Sequence, residues 1–199
     1  MQESLLTILR DEKTPVGQYR QAAHQLCDLI ATQATSLVVQ DPIEVKTPLA
    51  TTHGKKVPHR VILIPILRAG MAMLPSFLNF FPSAPVGFFG IRRDESTALP
   101  QLYYENLPPL QPTDLVFILD PMVATAGSSL LAIQHLLKKG VEPAKIALAS
   151  VLASTDGLQK IKTAYPYLHV ITAAEDPSLN DRKFIVPGLG DFGDRYFGT

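Results

Sequence analysis

Residues 115–140 read LVFILDPMVATAGSSLLAIQHLLKKG. An apolar run at 115–119 ends on Asp120, small residues fill 124–128, and a helical pattern then occupies 128–139 before Gly140. Strand, small-residue loop and helix form the unit from which parallel α/β sheets are built. Residues 61–73, VILIPILRAGMAM, repeat it, with a tight loop at Arg68, Ala69 and Gly70 and a helix near 70–80. Apolar runs at 61–66, 86–91 and 146–152 predict further buried strands, with a helix at 155–164 and a weaker strand at 169–172. Unbroken hydrophobic strands alternating with helices predict a mainly parallel central sheet flanked by helices on both faces, an α/β fold.

Upstream of this alternation the pattern predicts a short helix at 4–10 and a longer one across 15–38, where Tyr19, Ala23, Leu26, Ile30 and Leu37 approach helical spacing. Cys27 and His24 fall in that helix and read as structural. Residues 43–60 read as strands joined by a turn. One segment breaks the order: 92–112, RRDESTALPQLYYENLPPLQP, is polar and proline-rich. Such a stretch inside a compact domain predicts a flexible flap or a disordered linker, and the alternation at 102–106 favours a flap with some strand character, as in a hairpin. The whole chain, 1–199, reads as a single domain.

Eighteen Lys and Arg balance eighteen Asp and Glu, and 46% of residues are hydrophobic. That balance disfavours nucleic-acid binding through an overall field. A single cysteine excludes an intramolecular disulfide and a cysteine zinc cluster. The composition predicts a soluble protein of a reducing compartment, the cytoplasm, with no membrane association: prolines 65, 75, 82 and 85 break the longest apolar window, and the first residues are too charged for a signal peptide.

The charges are informative where they are scarce. Between Arg60 and Arg92 the only ionisable residue is Arg68; between Asp114 and Lys138 the only formal charge is Asp120. Both stand where an apolar strand meets a loop, and a charge so placed needs a partner or a ligand. In open α/β sheets ligands bind at the carboxyl ends of strands. Backbone N–H groups of 124–128 at a helix N-terminus suit a phosphate, with Thr125, Ser128 and Ser129 as hydroxyl donors; the alternative is a helix capped by Ser128 or Ser129 with no ligand. Asp120 can accept hydrogen bonds from sugar hydroxyls or stabilise positive charge on a sugar ring. Arg68 offers a bidentate fork to a phosphate or pyrophosphate, with Arg92 and Arg93 adding charge at the start of the flap. Gly188, Gly190 and Gly193 have G-x-G-x-x-G spacing, but too little chain follows Gly193 for a helix or second strand, which rules out a dinucleotide fold. These glycines can instead let backbone groups approach a small planar ligand. No histidine is assigned a catalytic or metal role.

PILRAG at 65–70, RDE at 93–95 with the tyrosine pair at 103–104, DPMVATAGS at 120–128, and IVPGLGD at 185–191 running into GDRYFGT resemble the uracil phosphoribosyltransferase family, in order and spacing, along nearly the whole chain. The resemblance implies the type I phosphoribosyltransferase fold and transfer of a phosphoribosyl group from 5-phosphoribosyl 1-diphosphate to N1 of uracil, giving UMP and diphosphate in pyrimidine salvage. It implies that Asp120, Pro121, Met122, Val123, Ala124, Thr125, Ala126, Gly127 and Ser128 form the phosphoribosyl-diphosphate loop. Arg68 and Arg93 would bind the diphosphate, and Asp191 would face the donor or its metal. Catalysis falls to Asp120, Arg93 and Asp191. Ile185, Gly190, Asp191 and Phe192 would read uracil, largely through backbone groups that reject cytosine. Mg²⁺ would be held through diphosphate oxygens and water, with no dedicated protein metal site. A homo-oligomer, dimeric or larger, is implied, and GTP is a possible effector.

Three positions depart from the family pattern. Ala126 and Ala72 stand where glycine is usual; if either needs positive φ, alanine costs about 1–2 kcal/mol. Phe192 stands where alanine is common and would narrow the base pocket. The competing readings are a non-catalytic, pyrimidine-responsive regulatory protein on the same fold, or a phosphoribosyltransferase for another base.

Overall fold

The structure is a computed structural model that describes residues 1–93 and 99–199, with Arg93 described by its backbone alone. Its helices are α1 (Gln2–Arg10), α2 (Val16–Ala34), α3 (Leu74–Phe80), α4 (Gly127–Lys138), α5 (Thr155–Ala164) and α6 (Phe192–Phe197). The strands are β1 (Asp41–Lys46), β2 (Thr51–Lys56), β3 (Val61–Leu67), β4 (Phe88–Arg93), β5 (Pro100–Asn106), β6 (Leu115–Leu119), β7 (Met122–Val123), β8 (Ile146–Ser154), β9 (His169–Asp176), β10 (Ser178–Leu179) and β11 (Ile185–Val186). The predicted mainly parallel α/β architecture is present. β4, β3, β6, β8 and β9 run parallel, β5 pairs antiparallel with β4 at one edge, and β7 extends the β6 flank of β8.

The strands are hydrophobic along their full length because both faces are covered. Val61, Leu63, Phe117 and Leu119 point into a core shared with α1, α2, α3 and α6. Ile62, Ile64, Ile66, Val116 and Ile118 point to the opposite face, against Ala132, Ile133 and Leu136 of α4 and Ile161 of α5. The alternation slips in β8, where Val151 and Leu152 both join the first core. There both backbone N–H groups donate to the carbonyl of Pro121, at 3.1 and 3.0 Å. This is the point at which β6 gives way to β7, directly after Asp120.

The predicted flap begins as an antiparallel hairpin, from Phe88 opposite Asn106 to Arg93 opposite Pro100. Its outer strand is tied to α4, because Glu105 accepts from Lys139 Nζ at 2.6 Å and meets His135 Nδ1 at 3.2 Å. Residues 94–98 of the predicted flap, and the side chain of Arg93, lie outside the described residues. The turn region at 43–60 is a separate hairpin of β1 and β2.

One expectation is overturned. The chain after Gly193 does accommodate a helix: α6 begins at Phe192 and takes its last turn from the residues expected to be too few. It succeeds because Asp191 caps it, Oδ1 accepting from the Asp194 N–H at 2.9 Å, and because α1 and α2 supply partners a six-residue helix lacks in isolation. Arg195 donates to the carbonyls of Leu9, Leu189 (2.7 Å) and Asp11 (2.6 Å), and its guanidinium lies 4.4 Å from the Tyr19 ring centroid. Arg20 Nε donates to the Tyr196 carbonyl at 2.7 Å, and His24 Nε2 shares a 2.5 Å hydrogen bond with Tyr196 Oη.

The loop preceding α6 is held by a second clamp. Arg10 donates to both carboxylate oxygens of Asp176 at 2.7 Å and to the Gly188 carbonyl at 2.8 Å. Asp176 Oδ2 also accepts from the Gly188 N–H at 2.8 Å. Gly188 is left-handed (φ 66°), and a Cβ there would collide with the Ile185 carbonyl, so only glycine turns the chain here. The guanidinium holds the Asp176 carboxyl below its usual range, opposed by desolvation. A lowered carboxyl pKa adds stability that is fully present above the ordinary aspartate range and fades as pH falls through the folded value. Arg10→Ala leaves a buried carboxylate unpaired and is expected to cost about 3 kcal/mol, lowering Tm by roughly 6–12 °C in thermal denaturation at pH 7. In Asp176→Asn the acid-side loss of stability should be shallower than in the parent.

Candidate active site

Asp120 stands just past the carboxyl end of β6, where its side chain meets the loop. The first half of the loop is pinned twice. Pro121 is held by β8 as described, and the Ala124 carbonyl accepts from Ser154 Oγ at 2.6 Å. Beyond these pins Ala126 takes the left-handed conformation, φ 63° and ψ 5°, and α4 starts at Gly127. Of the two positions where positive φ was at issue, Ala126 has it and Ala72 does not. Ala72 lies in the 3-10 turn Ala69–Ala72 and is buried. At Ala126 the left-handed backbone costs about 1–2 kcal/mol, while burying the methyl group returns roughly 0.8 kcal/mol. The second term offsets part of the first, leaving a cost small enough for alanine to stand there.

Neither Ser128 nor Ser129 caps α4; Ala126 takes the N-cap position without a side-chain bond. Ser129 Oγ instead donates to Asp120 Oδ2 at 3.0 Å. Burial raises the Asp120 carboxyl to about 6, against the lowering effect of the Ser129 hydroxyl and the Met122 backbone N–H. A small concavity of about 70 Å³ is formed by Asp120 and residues 122–129, bringing together the loop residues expected to act jointly, apart from Pro121, which is buried.

Arg68 leaves the neighbouring strand, β3. Its loop approaches β6 so closely that a Cβ on Gly70 would collide with the Leu119 carbonyl. The Arg68 side chain turns toward α6, where Nη2 donates to Asp194 Oδ1 at 3.1 Å and the guanidinium lies 5.8 Å from the Phe197 ring centroid.

A larger cleft of about 330 Å³ adjoins the loop, and Met122 and Ala124 line both concavities. Ile185, Gly190, Asp191 and Phe192, expected to lie together, all line it. Phe192 narrows it less than its size suggests, because its ring is buried against Tyr196 (5.9 Å, interplanar 9°) and Tyr19 (5.7 Å). Arg182, Lys183 and Phe184 also line the cleft and were missed: a D-R-K run reads as solvated charge. Their loop joins β10 to β11 and is closed by Asn180, whose Oδ1 accepts from the Phe184 N–H at 2.9 Å and whose carbonyl accepts from the Lys183 N–H at 2.8 Å. The asparagine and the short hairpin are the signals that could have marked it.

An α/β sheet with a strand-end acid, a small-residue loop at a helix N-terminus and an adjoining cleft is the arrangement of the phosphoribosyltransferase class. In keeping with this, a hypoxanthine phosphoribosyltransferase from Trypanosoma cruzi solved with IMP superposes with a TM-score of 0.52 over 80% of this chain and 76% of its own, at 14% identity, a likeness of fold. A solved protein from Aquifex aeolicus reaches a TM-score of 0.90 at 30% identity, over 100% of this chain and 94% of that one. The family model for uracil phosphoribosyltransferase matches residues 1–199. Proteins named uracil phosphoribosyltransferase from Salinibacter ruber and Campylobacter fetus are 40% and 41% identical, covering 98% and 99% of this chain and 91% and 93% of theirs. The chain belongs to the uracil phosphoribosyltransferase family.

The Ser129 contact has a measurable consequence. Removing a donor that favours the charged carboxylate raises its pKa. In the Ser129→Ala variant, the Asp120 titration followed by carboxyl carbon NMR should move upward from about 6. An unchanged midpoint would show that the hydroxyl does not stabilise the charge.

Proposed function

We propose that the chain transfers the phosphoribosyl group of 5-phosphoribosyl 1-diphosphate to N1 of uracil, forming UMP and diphosphate. The observation that carries this reading is the continuity of the Asp120 loop with the cleft lined by Ile185, Gly190, Asp191 and Phe192 through Met122 and Ala124. The 5-phosphate would take the N–H groups of 124–128, and the base would enter the adjoining cleft, with ribose between them beside Asp120. As the C1–diphosphate bond breaks, positive charge grows on the ribose and negative charge on the leaving group. The ionised Asp120 carboxylate would stabilise the first, and Arg68 and Arg93 would bind the second. Asp191, with one oxygen committed to capping α6, would turn the other toward the donor.

Among the described residues no three His, Cys, Asp or Glu side chains converge to cage a metal. Single carboxylates at Asp120 and Asp191 fit a Mg²⁺ carried mainly on diphosphate oxygens and water, where it would neutralise leaving-group charge. The assembly we infer is a homo-oligomer, since an isolated two-stranded hairpin is marginal in water and β1–β2 carries Leu49 fully exposed at its turn. GTP activation rests on family resemblance alone. For a cytoplasmic location the support is the single, buried Cys27. Among the described residues no helix is long and apolar enough to cross a membrane.

Diphosphate release from phosphoribosyl diphosphate and Mg²⁺ should be seen with uracil and not with cytosine, and absence of release with uracil overturns the reading. Asp120→Ala should cut kcat on the order of a hundredfold or more with the fold intact by circular dichroism. Because the Asp120 pKa is raised, its charge fades as pH falls through about 6, well above the usual aspartate range. The donor KM should therefore climb below pH 6, and this rise should vanish in Asp120→Asn.

A further inference from the structure

Two cations stand at the base cleft with no role in the chemistry proposed above. Arg182 and Lys183 line it, both exposed, and neither side chain makes a hydrogen bond or ion pair among the described residues. The one acidic residue of the lining, Asp191, commits Oδ1 to the Asp194 N–H. The wall is thus left with a surplus of positive charge, facing a floor that is otherwise apolar: Ala69, Met122, Ile185 and Phe192.

The backbone that carries them is fixed by the loop's own hydrogen bonds. Lys183 is held left-handed at φ 66°, a conformation unfavourable for any residue but glycine, asparagine or aspartate. The loop keeps it there through Asn180, which bonds both the Lys183 N–H and, by Oδ1 and backbone N–H alike, the backbone of Phe184. The ring carbonyls of a neutral pyrimidine-dione give an ammonium and a guanidinium only uncharged acceptors. A carboxylate offers more: its two oxygens match the planar fork of arginine, and a nearby lysine adds a point charge.

We propose that Arg182 and Lys183 are specificity-determining residues that make the base cleft bind pyrimidine-diones carrying a ring carboxylate in preference to neutral analogues of similar size. The proposal rests on the base-cleft assignment above and extends it to a class of ligand. Being exposed, the two charge pairs each contribute modestly, and together they are worth about a tenfold preference, eroded by salt.

Titration calorimetry with Mg²⁺ and diphosphate present measures it without turnover, using 5-carboxyuracil and 6-carboxyuracil against the neutral, similarly sized 5-methyluracil and 6-methyluracil. The parent should bind at least one carboxylated ring about tenfold more tightly than its methylated counterpart, the preference falling as salt rises. In Arg182→Gln with Lys183→Asn, which removes both charges while asparagine tolerates the left-handed backbone, the ratio should fall to near unity; Arg182→Lys should retain part of it. Arg182→Gln alone gives a partial loss and serves if the double variant does not fold. A parent ratio at or below one, or a preference that survives the double substitution, overturns the proposal. Failure of the parent to release diphosphate with uracil is a separate result that removes the catalytic reading, whatever the calorimetry shows.

Discussion

The pairing of Arg10 with Asp176 decides where the C-terminal loop can run. Asp176 ends β9 with a buried carboxylate that would be costly alone, and α1 meets it with both prongs of a guanidinium. The same two side chains take the N–H and carbonyl of Gly188, leaving the glycine no freedom to wander. Everything downstream inherits that position. Leu189 is buried, Gly190 and Asp191 form the wall of the cleft, and Asp191 starts the helix that carries Asp194 to Arg68. A single ion pair between the two ends of the chain thus registers one side of the candidate site against the sheet.

The other side is registered by the sheet itself. β6 ends on Asp120, and Pro121 presents a carbonyl to two successive N–H groups of β8, so the loop departs from a fixed point. Its carboxyl is raised to about 6 by an environment that penalises charge, with one hydroxyl and one backbone N–H resisting the penalty. Such a carboxylate is sensitive to whatever positive charge arrives beside it, which is the property required of a group facing a developing cation.

Much of this was legible in local pattern. The buried strands are apolar runs because both faces of the sheet are covered, and Asp120 and Arg68 stood out as lone charges at strand ends. What escaped depends on partners distant in sequence. Arg10 and Asp176 are 166 residues apart and carry no mutual local signal. A six-residue helix at 192–197 has too few turns for periodicity, and its stability comes from Arg20, His24 and the contacts of Arg195. Arg182 and Lys183 resembled ordinary surface charge because nothing in their spacing reveals a hairpin folding back over a cleft. Ser129 looked like a helix cap, whereas the left-handed turn at Ala126 frees it to bond Asp120.

The binding of α6 and its preceding loop by α1 and α2 has a consequence for the order in which the molecule is completed. Leu9 and Asp11 accept from Arg195, and Arg20 donates to the Tyr196 carbonyl, so the wall of the cleft joins segments some 180 residues apart. A growing polypeptide could lay down most of the sheet and the Asp120 loop while this wall was still missing. The cleft beside the Asp120 loop therefore closes only once residues 182–197 are in place, and a nascent protein interrupted before them would have the loop and no cleft next to it.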